Sequence, residues 1–246
     1  MNLSELQGHW RRDLLRWPGG EGEDDETTRV HWLQAGSLYA DIRVPVGRPE
    51  TRGARCLADL DPPALLRLMQ AEGFAGTITL DGDICTWHRR INWHGRPEGV
   101  DAGRMVFEDA ALIEDGVHAP YRELWRQVEG PPLSASRIAG GGLEGVLVSS
   151  EAEFLVALGR PGEAPSAPMV EALERGERPP EIVAHFGSLY ALGTWDGADG
   201  VAAIATDPFV EGQPVIARRG ETLIWRRLGF DGDRQDVPFD QDQSAR

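Results

Sequence analysis

Residues 38–44 alternate without a break: Leu38, Ala40, Ile42 and Val44 fall on one side, Tyr39, Asp41 and Arg43 on the other. A period of two marks a β-strand, whose successive side chains leave the backbone on opposite faces. The same beat runs through residues 84–91, with Ile84, Thr86, His88 and Arg90 on one face and Cys85, Trp87, Arg89 and Ile91 on the other. In residues 121–128, Tyr121, Glu123, Trp125 and Gln127 share a face. Further short strands are expected at 27–34, 77–80, 104–108 and 111–114. After a break they resume at 143–148, 153–158, 182–186, 189–195, 201–205, 213–217 and 222–228. Ala35-Gly36, Asp81-Gly82, Asp109-Ala110 and Asp115-Gly116 supply turns between them. Only two short helices are expected. One covers residues 62–72, capped by Asp61, opened by Pro62 and Pro63 and ended at Gly73; the other covers 168–175 and ends at Gly176.

Strands joined by short turns, without crossover helices, predict antiparallel meanders. Each half offers about seven or eight of them, the number that closes a small barrel and removes its exposed edges. Gly130-Pro131-Pro132 and Gly140-Gly141-Gly142 bracket a polar, breaker-rich stretch that reads as a flexible linker between Glu129 and Gly142. The expected division is therefore an N-terminal barrel over 1–129, a C-terminal barrel-like domain over 143–230 and a loose acidic tail over 231–246. The tetrapeptide Gly-Ser-Leu-Tyr occurs at residues 36–39 and again at 187–190, a hint of two related units.

Residues 28–34, Thr-Arg-Val-His-Trp-Leu-Gln, and 38–45, Leu-Tyr-Ala-Asp-Ile-Arg-Val-Pro, resemble bacterial lipocalin-like proteins, similar in plan to a fungal family with two β-barrels. Residues 85–89, 101–104, 121–125 and 208–212 extend the likeness over most of the chain. The resemblance implies a mostly β fold of antiparallel lipocalin-like barrels in tandem, with two short helices, and it carries no activity. The chain departs from secreted lipocalins in lacking a leader and their disulfides, and Gly8-His9-Trp10 only loosely matches their Gly-x-Trp start.

Composition narrows the function classes. The chain of 246 residues has 25 basic against 40 acidic side chains, a net charge of −15. Phosphate backbones and anionic lipid surfaces are repelled by such a field, so neither nucleic acid nor membrane is expected as a partner. The sequence contains no lysine, which removes Schiff-base and lysine-base chemistry. Cys56 and Cys85 form no metal or redox motif, and the absence of a basic and apolar leader predicts a cytoplasmic protein. No phosphate loop, nucleophile elbow or zinc signature is present, so no cofactor and no metal are expected. Among the histidines, His31, His88 and His185 are the candidates for a haem ligand.

The candidate site follows from the strand faces that mix aromatic and charged residues. Tyr39, Arg43, Trp87, Arg90, Tyr121 and Trp125 are the expected ligand-binding residues, and His88, Glu123 and Asp41 the expected acid–base groups, with His118 a further candidate base. Arginine offers a fixed fork of donors for a carboxylate or enolate. Two functions follow: a protein that encloses a small organic ligand with an anionic or polar end, or a cofactor-free acid–base enzyme (isomerase, hydratase or cyclase) on the same scaffold. A scaffold that docks a protein partner through its acidic surface is a third, and self-association stays open. If the mixed faces pointed to water, the apolar ones would instead fill the barrel.

Overall fold

The computed structural model describes residues 1–20 and 22–242. Two eight-stranded antiparallel barrels follow one another along the chain. The first is an up-and-down meander of β1 (Gly8–Arg16), β2 (Arg29–Ala35), β3 (Leu38–Val44), β4 (Glu72–Asp81), β5 (Ile84–Asn92), β6 (Asp101–Glu108), β7 (Ala111–Gly116) and β8 (Arg122–Val128), closed by β8 on β1. The second runs through β9 (Ser134–Gly140), β10 (Leu143–Ser149), β11 (Glu153–Gly159), β12 (Leu189–Asp196), β13 (Asp199–Ala205), β14 (Pro214–Arg219), β15 (Thr222–Leu228) and β16 (Arg234–Asp242), closed by β16 on β9. Three short helices, α1 (Pro62–Leu68), α2 (Ala167–Glu174) and α3 (Glu181–His185), lie in the longer connections. Among the described residues no helix is long and apolar enough to cross a membrane.

Three expectations are corrected. The breaker-rich stretch read as a linker contains β9, whose Ser134–Gly140 backbone pairs with β10 along its whole length. Its glycines form the turn into β10, where Gly141 and Gly142 take φ of 59° and 78°. The tail read as loose contains β16, anchored by Phe239, which is 2% exposed, and paired to β15 over six residues. Pro238 is compatible with this strand because β16 meets β9 only from Asp240 onward. Residues 243–246 of that tail lie outside the described residues. The strand expected at 182–186 is instead α3, and an unexpected strand, β1, opens the chain.

The two barrels are filled differently. The second has an apolar interior, with Phe154, Val156, Leu158, Val215, Leu223 and Trp225 packed inside. The first is apolar at one end only, where Trp10, Ile78, Met105 and Leu112 close the barrel together with Leu6. Leu6 is held there by the indole N–H of Trp10 donating to its carbonyl at 2.8 Å. At the other end the interior is charged.

This polarity is affordable because the apolar faces of the first barrel's strands point outward against the second barrel. Ala40, Ile42 and Val44 of β3, with Ala75 and Ile91, pack on Val146, Val148, Leu155 and Ala157 in one buried cluster. The inversion of β3, polar inside and apolar outside, thus comes from barrel-on-barrel burial. Polar links tie the same seam. His9 Nδ1 meets Glu153 Oε2 at 2.9 Å while its Nε2 meets His31 Nδ1 at 2.8 Å. Arg48 reaches Glu211 at 2.6 Å and Arg90 reaches Glu144 at 2.8 Å. The repeated tetrapeptide does not mark equivalent positions. Tyr39 lies inside the first barrel with Trp32 and Phe74, whereas Tyr190 lies in the cluster between the barrels.

Candidate functional site

The charged end of the first barrel encloses a cavity of about 220 Å³. Strand alternation places its walls: Asp41 and Arg43 from β3, Phe74 from β4, Trp87 and Arg89 from β5, Glu123 and Trp125 from β8. Half-buried Trp17, Tyr121 and Asp101 and exposed Glu72 stand toward its open side.

Two backbone irregularities set this arrangement. In β1 a register shift between Arg12 and Leu14 pairs Arg12 with Trp125 and Leu15 with Glu123, so Asp13 is the extra residue and both Arg12 and Leu15 turn inward. In β5 the register shifts opposite Ala75 and Gly76, pairing Gly76 with Arg89 and Ala75 with Ile91. Arg90 is the bulged residue. Beyond it the faces exchange, which is why Ile91 packs between the barrels although it alternates in phase with Trp87 and Arg89. Gly76 makes room for this bulge: a Cβ there would stand 2.0 Å from the His88 carbonyl oxygen and 2.8 Å from the Arg90 nitrogen.

One ionic chain runs from Asp25 through Arg12, Glu123 and Arg43 to Asp41, with the Arg89–Asp101 pair and Glu114 beside it. Glu123 Oε1 accepts from Arg12 Nη1 at 2.6 Å and from Arg43 Nη1 at 3.2 Å. Arg12 also donates to Asp25 at 2.6 Å, and Arg43 Nε donates to Asp41 at 3.0 Å. Arg89 donates to Asp101 at 2.6 Å, and its guanidinium lies 3.6 Å from the centre of the Phe74 ring. Glu114 accepts from the Tyr121 hydroxyl at 2.8 Å and from the Trp125 indole at 3.0 Å. It occupies space left by Gly103, where a Cβ would stand 2.6 Å from Glu114 Cγ.

Burial governs the acidities. It raises Asp41 to about 6 against the opposing pull of Arg43. It raises Glu114 well above the ordinary carboxylate range, and the neighbouring charge of Glu123 pushes the same way. Tyr39 and Tyr121 are likewise raised by burial, so both phenols stay protonated. Three buried polar atoms here have no hydrogen-bond partner among the described residues: Glu123 Oε2, Trp32 Nε1 and the Tyr39 hydroxyl. Glu123 and Trp32 both wall the cavity.

Of the residues expected from the sequence, Asp41, Arg43, Trp87, Tyr121, Glu123 and Trp125 meet around this cavity. Tyr39 is fully buried beside it, its ring 6.2 Å from that of Phe74. His88 and Arg90 do not join them. The face of β5 assigned from alternation is its outer one: His88 is exposed and bonded to Thr79, and Arg90 pairs with Glu144 of the second barrel. His118 is also exposed. Neither His31 nor His185 faces the cavity; His185 is buried with its ring centre 4.3 Å from that of Trp93. Sequence reasoning missed Arg12, Trp32, Phe74, Arg89, Asp101 and Glu114. The signal for Arg89 was its alternation in phase with Trp87, and for Trp32 its opposition to Asp41 across the β2–β3 hairpin.

No family model matches this chain, and no curated protein matches it. A solved structure is similar. The crystal structure of the uncharacterized protein YLR301w from Saccharomyces cerevisiae superposes with a TM-score of 0.50 at 11% identity, covering 95% of this chain and 96% of that one. At this identity the likeness concerns the fold alone, and it extends over both barrels.

Proposed function

We propose that the N-terminal barrel binds a small organic molecule in its cavity, as a lipocalin-like ligand barrel does. One observation carries the reading: two residues in the walls of the same cavity, Glu123 and Trp32, each keep a buried polar atom, the acceptor Oε2 and the donor Nε1–H, with no hydrogen-bond partner among the described residues. An unpaired buried polar atom costs about 1–3 kcal/mol, which a ligand bearing the complementary group recovers. The aromatic walls supply the apolar contact that ligand pockets use, and the charged groups between them fix orientation. Size limits the ligand. About 220 Å³ exceeds the roughly 150 Å³ that admits benzene but lies below the roughly 300 Å³ at which drug-sized pockets begin. A single ring with a short polar substituent fits that range. The polar end need not be an anion, because Arg12, Arg43 and Arg89 each already engage a carboxylate.

Tryptophan indole N–H resonances test this directly. Titration with a set of single-ring fragments at millimolar concentration is expected to move the signals of Trp32, Trp87 and Trp125 while leaving Trp225, inside the second barrel, in place. A set in which no fragment moves the first-barrel signals refutes the reading.

The acid–base alternative keeps one specific support, a carboxyl group at Asp41 that titrates at about 6 inside the cavity. It loses His88. Under this reading a bound fragment is converted, and the conversion disappears in Asp41→Asn while binding persists.

A further inference from the structure

We propose that the cavity selects an organic cation: an ammonium or amidinium group carried on a small flat ring. This rests on the cavity being a ligand site at all, and it goes further by assigning the charge of the ligand.

The charge inventory of the walls is unbalanced. Asp41, Glu72, Asp101, Glu114 and Glu123 line the cavity against two arginines, Arg43 and Arg89. Behind the wall Arg12 adds one positive charge and Asp25 one negative, in contact with each other at 2.6 Å. Burial and the charge of Glu123 both shift Glu114 toward its neutral form, and its two oxygens accept from Tyr121 and Trp125. Even with Glu114 left out of the count, four carboxyl groups face two guanidiniums, a formal excess of two negative charges in a partly desolvated space.

The arrangement of the arginines removes them as anion receptors. Arg43 spends its Nε on Asp41 and its Nη1 on Glu123. Arg89 directs Nε and Nη2 to Asp101 and stacks on Phe74. An incoming carboxylate would have to displace one of these pairs while adding to the local negative charge. An incoming cation meets the opposite situation. Glu123 is 2% exposed, and Oε1 takes both of its arginine contacts while Oε2 takes none. A ligand N–H directed at Oε2 forms a charge-assisted hydrogen bond with an atom already desolvated. Trp17, Trp87 and Tyr121 in the same wall offer rings whose quadrupole attracts a cation. Trp32, whose N–H is unpaired among the described residues, stands in the same wall.

Three probes with one ring and one substituent separate the cases: benzamidine, benzyl alcohol and benzoate, each titrated into the full-length protein at pH 7.5 with tryptophan fluorescence or calorimetry as readout. Benzamidine is expected to bind about tenfold or more tighter than benzyl alcohol, and benzoate more weakly than either. Equal binding of benzamidine and benzyl alcohol overturns the charge assignment and leaves the ligand site intact. Benzoate binding as tightly as benzamidine overturns it outright, and no binding by any of the three removes the ligand site as well. Glu123→Gln is expected to weaken benzamidine about tenfold and benzyl alcohol by less than about twofold. If that variant unfolds, Glu72→Gln at the exposed rim is the second test, with a smaller loss confined to benzamidine; equal losses for both probes in either folded variant refute the proposal.

Discussion

Replacing Glu123 by alanine removes the anion that Arg12 and Arg43 share. Arg12 is 4% exposed at its side chain and Arg43 20%, so neither can turn fully into water without opening the barrel. Arg12 retains Asp25 and Arg43 retains Asp41, which bounds the damage. Breaking a buried pair by deleting one partner costs about 3–5 kcal/mol, because the remaining charge stays desolvated. For a protein of this size about 1 kcal/mol corresponds to roughly 2–4 °C, so the melting temperature is expected to fall by about 6–20 °C. Thermal and urea unfolding, followed by circular dichroism and tryptophan emission together, measure this. Arg12→Met with Glu123→Ala should lose less than the sum of the single variants, with a coupling above about 1 kcal/mol. A single-variant loss below about 1 kcal/mol is the value of an exposed pair, and it would show that the network is solvated and the barrel interior accessible to bulk water.

Three further outcomes follow. Arg90→Ala and His88→Ala are expected to change stability by less than about 0.5 kcal/mol and to leave fragment binding unchanged, whereas Arg89→Ala weakens both; parity among the three would reverse the assignment of faces in β5. Gly76→Ala is expected to cost about 2–4 kcal/mol, since its Cβ would collide with backbone atoms of the bulge, and a melting temperature within a degree or two of the parent contradicts this. On acidification His31 and His185, whose pKa values burial lowers to about 3, lose stability because the unfolded chain takes up protons from about pH 6.5 downward. Asp41 and Asp207, both raised to about 6 by burial, act with the opposite sign as the pH falls from about 6 toward 4. In His185→Leu the loss between pH 6 and 4 is therefore expected to shrink by about 1.4 kcal/mol per pH unit, and denaturant-derived stabilities that run parallel to the parent's across that window refute the assignment.

How much of this was legible in the sequence depends on which strands bury apolar residues. β3 declares itself because Leu38, Ala40, Ile42 and Val44 alternate with polar residues, and so does β5 as far as Arg89. β1, β9 and β16 do not. β1 buries Trp10 and Arg12 on one face and carries a bulge at Asp13, so neither period nor polarity marks it. β9 buries only Ile138, and β16 only Phe239. These three strands close the barrels, and their ladder bonds owe little to side-chain pattern. The helix α3 was missed for a different reason. Ile182, His185 and Phe186 are buried at helical spacing, but a five-residue helix is too short for that period to be told from a strand's.

The same limit explains the candidate site. Alternation says which residues share a face but not which face turns inward, and a one-residue bulge reverses the answer midway along a strand. On β3 the mixed polar face proved to be the inner one because the second barrel covers the apolar face, a partner that lies more than 100 positions away in sequence. On β5 the choice between Arg89 and Arg90 turned on Phe74 and Gly76: Phe74 offers a ring for Arg89 to stack on, and Gly76 offers the space in which Arg90 bulges out. Both lie on β4, and their relation to β5 exists only once the hairpin register is set. An inward charge on a barrel strand is thus readable from a sequence only together with the neighbour that receives it. Arg12 with Glu123, 111 positions apart, and Arg43 with Glu123, 80 apart, are pairs that no local pattern could join.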